Sequence, residues 1–133
     1  LRVESEANLL GVVFSEAGAM TGAPYRVVEP DHWVFAGTGL KRDDLFGLHS
    51  LHCRCPGGAS AHETDKISPS SPAGVKLLAK GLNRDNGGAE MIYYDTAGGG
   101  EVFSAGSIAW PSCVLIDEAV SKITANVLRR FLG

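Results

Sequence analysis

The stretch Met91–Ala105, MIYYDTAGGGEVFSA, carries the strongest local structural signal in the sequence. Its two ends are rich in residues that favour strands, and three consecutive glycines lie between them. Glycine reaches positive φ angles without steric cost, so the stretch predicts a β-hairpin with a glycine-rich loop. Because Tyr93 and Tyr94 are neighbours on a strand, their side chains should point to opposite faces, and at most one is expected in the core.

Upstream of this hairpin, short apolar runs alternate with turn-forming residues. The run Asn8–Phe14 is compatible with either a buried strand or a short helix. Three further runs are predicted as strands or extended segments: Arg26–Val28, His32–Phe35 and Val75–Ala79. Glycine, proline, serine and asparagine separate them and predict loops.

Downstream of the hairpin, the chain is predicted to end in an amphipathic helix that begins near Asp117. Apolar residues recur there at spacings of three and four, which places them on one helix face: Val120, Ile123, Val127, Leu128 and Phe131. Asp117 is a suitable N-cap, and Arg129 and Arg130 complement the C-terminal end of the helix dipole. Strands covered by a helix predict an α/β layer structure.

From its length and composition, we predict that residues 1–133 form one compact domain or part of a larger one. The chain has 133 residues, of which 44% are hydrophobic and 20% charged, so it can bury a core. It begins with Leu1 instead of methionine, and we interpret it as part of a longer polypeptide.

Charge and hydropathy argue against two classes of partner. The net charge is −3 and the basic residues are scattered, so a nucleic-acid surface is not expected. Neither a membrane-spanning run nor a signal peptide is visible in the sequence. The odd number of cysteines, three, suits a reducing compartment, and we expect a cytoplasmic protein.

The segment HSLHCRCPGGASAHETDK, residues 49–66, holds most of the residues that could carry chemistry. His49, His52, Cys53 and Cys55 could form a zinc site, but no second, distant ligand pair accompanies them. A cysteine nucleophile would need a base that only the fold could supply. We therefore favour an ordinary loop for this half of the segment, and keep the zinc-binding module as an alternative.

Glu63 is the stronger candidate in this segment. It follows a run of small residues, Gly57–Ala61, which lets a ligand or another backbone approach closely. The sequence His62-Glu63 lacks the second histidine of the H-E-x-x-H zinc motif. Glu63 could be a metal ligand or a general base, and the alternative is a solvated surface acid.

Three segments together resemble the C-terminal part of the large subunit of N,N-dimethylformamidase and its relatives. They are PDHWVFAGTGL with DLFG (30–47), GGASAHETDK (57–66), and AKGLNRDNGGAEM with GGGEVFSAGSIAWP and the final helix (79–132). The last third also resembles the trehalose-utilisation (ThuA-like) branch of the glutamine-amidotransferase-like fold. The resemblance implies the C-terminal part of a flavodoxin-like, three-layer α/β domain that is rich in strands and ends in a helix.

The same resemblance implies an amidohydrolase that cleaves a small N-substituted formamide to formate and an alkylamine. The family holds a ferric ion with two tyrosinates and one glutamate, in a large oligomeric assembly with a small subunit. Only the glutamate is carried onto this sequence, as Glu63, whose hard oxygen donor suits Fe³⁺. His62 is predicted as a catalytic or supporting group, and Asn83, or Asn86, as a residue that reaches the substrate amide. Both tyrosine ligands are expected outside this chain, in the rest of the large subunit.

A second function is compatible with the same fold. A catalytically silent amidotransferase-like domain could serve assembly or ligand binding, because a fold does not determine chemistry.

Overall fold

The computed structural model describes residues 3–53 and 57–133. Within those ranges the chain forms two α-helices, α1 (Ala7–Leu10) and α2 (Glu118–Leu132), and three short 3₁₀ helices. It also forms nine strands: β1 Val13–Ser15, β2 Gly22–Ala23, β3 Tyr25–Val27, β4 Leu45–Phe46, β5 Ser60–Ala61, β6 Thr64–Lys66, β7 Lys76–Gly81, β8 Glu90–Asp95 and β9 Glu101–Ser104. The 3₁₀ helices are Trp33–Phe35, Arg84–Asn86 and Trp110–Cys113.

Five of the strands form the main sheet, in the order β4-β3-β7-β8-β9. The predicted hairpin is confirmed, because β8 pairs with β9 in antiparallel register from Ile92 opposite Ser104 to Asp95 opposite Glu101. Two small antiparallel sheets accompany it, β1 with β6 and β2 with β5. The ambiguous run Asn8–Phe14 contains part of each element, since α1 ends at Leu10 and β1 begins at Val13, but this strand is not buried because Phe14 is 49% exposed.

The terminal helix is confirmed from its cap to its buried face. The Asp117 side chain accepts a hydrogen bond from the backbone N–H of Val120. Val120, Ile123 and Val127 are buried against the main core. The rest of the predicted stripe is not covered: Leu128 and Phe131 are 55% and 46% exposed.

The core lies on both faces of the main sheet. Tyr93 belongs to the larger cluster, under α2, while Tyr94 packs with Val12 and Ile92 on the opposite face. The expectation that at most one of the two tyrosines is buried is therefore wrong. The N-terminal segment covers the second face, and the Tyr94 hydroxyl donates a hydrogen bond to the Leu9 carbonyl at 2.5 Å.

One predicted strand is instead a helix. Residues Trp33–Phe35 form a 3₁₀ turn because the imidazole of His32 accepts a hydrogen bond from the backbone N–H of Val34. A side chain that satisfies a free N–H at a helix start favours the helical turn over an extended segment.

The mixed, strand-rich α/β character with one terminal helix is confirmed, but the three-layer flavodoxin-like arrangement is not. All strand pairs among residues 3–53 and 57–133 are antiparallel, whereas doubly wound domains are built on parallel strands. In the same ranges, no helix is long and apolar enough to cross a membrane.

Candidate functional site

Glu63 and Asp65 line one side of a surface cleft of about 500 Å³, which we call the acidic cleft. Its other side is formed by the segment that follows β9. The complete lining consists of Glu63, Asp65, Phe103, Ser104, Ala105, Gly106, Ser107, Ile108, Trp110 and Pro111. The two sides are joined by backbone hydrogen bonds, from Asp65 N–H to the Gly106 carbonyl and from Ile108 N–H to the Glu63 carbonyl. The cleft is thus built into the fold.

A tight turn places Glu63 at the edge of this cleft. The Glu63 N–H donates a hydrogen bond to the Ala61 carbonyl at 2.9 Å, two residues earlier, and His62 between them has a φ of +70°. A three-residue turn with positive φ at its centre is rare and strained. His62 is held there by backbone hydrogen bonds to Thr21 and Met20.

The His62 side chain has an unusual environment. It is partly buried, and its Nδ1 atom is enclosed without a hydrogen-bond partner among the described residues. The Nδ1 atom is thus not used in a hydrogen bond that stabilises the described fold, which is compatible with the predicted catalytic role of His62. That role stays a prediction.

The two acids of the cleft differ in their surroundings. Glu63 is exposed, whereas Asp65 is half-buried on β6. Partial burial raises the pKa of the Asp65 carboxyl, and the negative charges of Glu6 and Glu63 raise it further. Loss of water around a carboxylate, and like charges beside it, both disfavour the ionised form. The Asp65 carboxyl is therefore more readily protonated than that of an ordinary aspartate.

Tyr25 lies fully buried behind the cleft and is not a suitable tyrosinate ligand. Its hydroxyl donates a hydrogen bond to the Ala105 carbonyl at 2.7 Å. Burial raises the pKa of Tyr25 far above its usual value, so the phenol keeps its proton. The location of both tyrosine ligands in the rest of the large subunit stays a prediction.

Asn83 does not line the acidic cleft, and its amide is committed to the fold. Its Nδ2 donates hydrogen bonds to Thr21 Oγ1 and to the Ser60 carbonyl, both at 2.9 Å. Its Oδ1 accepts from Ser60 Oγ at 2.6 Å. Since both amide hydrogens are used, the structure gives the predicted contact of Asn83 with substrate no support. Asn86, the other candidate, lies in the 3₁₀ turn that follows.

The described residues do not complete a metal site. No group of three histidine, cysteine, aspartate or glutamate side chains within residues 3–53 and 57–133 is placed to hold an ion. The acidic cleft offers two carboxylates, and a ferric ion would need further donors. For the zinc alternative, His49, His52 and Cys53 line an open depression of about 400 Å³, and Cys55 lies outside the described residues.

Two polar groups of this region were not singled out from the sequence. Asp65 lies two residues after Glu63, and the period of two along a strand could have indicated a shared side. The Ser107 hydroxyl accepts a hydrogen bond from Ala61 N–H at 2.9 Å, a long-range contact that no local pattern announces.

Comparison with known proteins gives consistent matches. Residues 2–121 match the family model described as N,N-dimethylformamidase beta subunit-like, C-terminal. The N,N-dimethylformamidase beta subunit of Paracoccus aminophilus is 31% identical over 90% of this chain, and that of an Alcaligenes species is 30% identical over the same share. The chain spans 19% of the length of each relative.

Proposed function

Because the chain belongs to the N,N-dimethylformamidase beta subunit-like, C-terminal family, we propose that it is part of an amidohydrolase. The enzyme would hydrolyse a small N-substituted formamide, of the N,N-dimethylformamide kind, to formate and an alkylamine. The match over residues 2–121 carries this proposal. Since the chain spans about a fifth of the length of its relatives, the complete active site needs residues from the rest of the large subunit.

The acidic cleft is the surface of this chain that we assign to that site. Glu63 is exposed at the cleft, and the strained turn at His62 fixes the backbone position from which its side chain extends. Backbone strain tends to persist where it serves a function. We propose that Glu63 donates one oxygen to the ferric ion of the family, with the remaining donors outside the described residues. The two carboxylates of the cleft do not complete such a site.

Other parts of the expected assembly remain predictions. They are the small subunit, the oligomeric state, the cytoplasmic location and the flavodoxin-like fold of the complete domain.

The test uses the full-length protein and a matched pair of substitutions. Formate released from N,N-dimethylformamide measures activity, and elemental analysis measures bound iron. We expect Glu63→Gln to lose most iron and at least about 100-fold in activity, since loss of even an outer partner of a metal ligand costs about 10–100-fold. Glu16→Gln, an exposed glutamate outside the cleft, should retain both.

Two results would count against the proposal in different ways. Full iron and activity in Glu63→Gln would remove Glu63 from the site while leaving the reaction in place. An inactive, iron-free wild-type protein would favour the second function, a silent assembly or ligand-binding domain. Glu63 is exposed, and within residues 3–53 and 57–133 no three histidine, cysteine, aspartate or glutamate side chains are placed to hold a metal ion, which is compatible with that second function.

A further inference from the structure

A second cleft shares no lining residue with the acidic cleft and contains a lysine and a histidine. Val28, Glu29, His32, Lys76 and Leu77 line this His32 cleft, which has a volume of about 520 Å³. That volume lies within the range of about 300–1,000 Å³ typical of small-molecule sites. Three of its five lining residues carry polar or charged side chains, which can orient a ligand by hydrogen bonds.

The imidazole of His32 is held in a fixed orientation at this cleft. Its ring packs against Trp33 at a centroid distance of 5.3 Å and against Tyr93 at 4.8 Å. Its Nδ1 accepts a hydrogen bond from Val34 N–H at 3.5 Å. Because Nδ1 accepts, the proton of the neutral ring resides on Nε2, which is thereby a hydrogen-bond donor. His32 therefore contributes a positioned N–H without a net charge.

Lys76 brings a positive charge to the same cleft. Lys76 lies directly opposite Tyr93 across the β7–β8 pair, so both side chains project from one face of the sheet. His32 packs on that tyrosine, which brings the lysine and the imidazole to the same place. Burial lowers the pKa of His32, and the charge of Lys76 lowers it further.

The carboxylates around His32 already have partners on the protein. Glu29 approaches Arg42 at 3.8 Å, Asp95 accepts a hydrogen bond from the Tyr93 hydroxyl, and Glu101 pairs with Arg130. Lys76, by contrast, has no ion-pair partner in the part of the chain that the structure describes. The cleft thus has a lysine without an ion-pair partner among the described residues beside a neutral donor, and an anion could accept hydrogen bonds from both.

We infer that the His32 cleft binds a small aliphatic carboxylate, whose oxygens accept hydrogen bonds from the Lys76 ammonium and the His32 imidazole. The short aliphatic part would lie against Val28, the apolar lining residue of this cleft whose side chain is not part of the Ile92 cluster. This site is separate from the acidic cleft and does not depend on the proposed amide hydrolysis.

Sodium butyrate tests the site on the full-length protein. Binding is followed by NMR of the histidine ring protons and by the fluorescence of Trp33, which contacts His32. Butyrate should raise the pKa of His32, because the negative charge of a bound carboxylate offsets the positive charge of Lys76. The charges of Asp95, Glu29 and Arg130, which also act on His32, do not change when butyrate binds. Butylammonium has the same tail with the opposite charge and should not bind.

A pair of lysine substitutions separates the site from general charge effects. Lys76→Met should weaken butyrate binding by about tenfold or more, as expected for loss of a charged hydrogen bond. Lys122→Met, an exposed lysine on α2 outside the cleft, should leave binding unchanged. Equal weakening by both substitutions, binding of butylammonium, or equally tight binding of inorganic phosphate would each overturn the assignment. Circular dichroism of each variant checks that the fold is retained.

Discussion

His62 shows how one strained residue connects the fold to the candidate site. A positive φ at a residue with a side chain costs about 1–3 kcal/mol, and here the hydrogen bonds of Thr21 and Met20 to the His62 backbone hold the conformation. The strain lies one residue before Glu63. The backbone of His62 and its side chain can therefore have separate roles, the first in aiming Glu63 and the second in chemistry.

Two substitutions at this position separate those roles. We expect the free energy of unfolding of His62→Gly to exceed that of His62→Ala by about 1 kcal/mol, because glycine adopts positive φ without strain. Urea denaturation of both variants measures the difference. If the imidazole takes part in the reaction, both variants lose formamide hydrolysis. If only the turn matters, the glycine variant stays active, and equal stability of the two would show that the turn is unstrained.

The elements with a strong internal period were predictable from the sequence. The hairpin β8–β9 has two strand-forming runs around a glycine loop, and α2 has a stripe of buried residues with a cap at Asp117. The strands β2 and β5 contain two residues each, which is too short for any period to show. The residue types of His32–Phe35 favour an extended segment. The 3₁₀ turn found there depends on a hydrogen bond from the Val34 N–H to the His32 ring, which the sequence pattern does not predict.

The cap of α2 also connects two elements. The Asp117 carboxylate accepts hydrogen bonds from Val120 N–H at 3.1 Å and from Leu48 N–H at 3.0 Å. We expect Asp117→Ala to lower the free energy of unfolding by about 2–3 kcal/mol, since it removes a helix cap and leaves the Leu48 donor without its acceptor. Thermal or urea unfolding measures this loss.

Matched variants show whether the acceptor is the cause. Asp117→Asn keeps an acceptor oxygen and should lose less stability than Asp117→Ala. Asp31→Ala, at an exposed position, should change little. A loss in Asp117→Asn equal to that in Asp117→Ala would mean that one acceptor oxygen is not enough and that the ionised carboxylate with both oxygens is needed.

For the whole molecule, the sequence predicted the mixture of strands and a helix but not how the strands pair. The run Val75–Ala79 is strand-like whatever its neighbours are, and it carries no information on whether they run parallel or antiparallel. The structure pairs β7 with β3 and β8, both antiparallel. The burial of both Tyr93 and Tyr94 has the same origin, because only the packing of the N-terminal segment covers the second face. Likewise, the carboxylates of Glu63 and Asp65 can be recognised in the sequence as possible ligands or bases. The opposite wall of their cleft comes from residues 103–111, and only the folded chain shows that these residues lie there.

Close backbone contact at Gly88 holds the end of β7 where it packs against the small sheet that carries β5. A Cβ atom on Gly88 would overlap the carbonyl oxygen of Gly81, the last residue of β7. Gly81 itself is packed against Ser60, whose hydroxyl accepts a hydrogen bond from Ala89 N–H at 2.9 Å. We expect Gly88→Ala to lower the free energy of unfolding by about 3 kcal/mol or more, because rigid backbone must move to admit the methyl group.

Gly74→Ala is the matched control. No atom of the described chain lies within 4 Å of a Cβ built there, and its stability should stay within about 0.5 kcal/mol of the wild type or rise slightly. Equal urea midpoints for the two variants would show that the backbone at Gly81 and Gly88 moves to admit the methyl group without loss of stability.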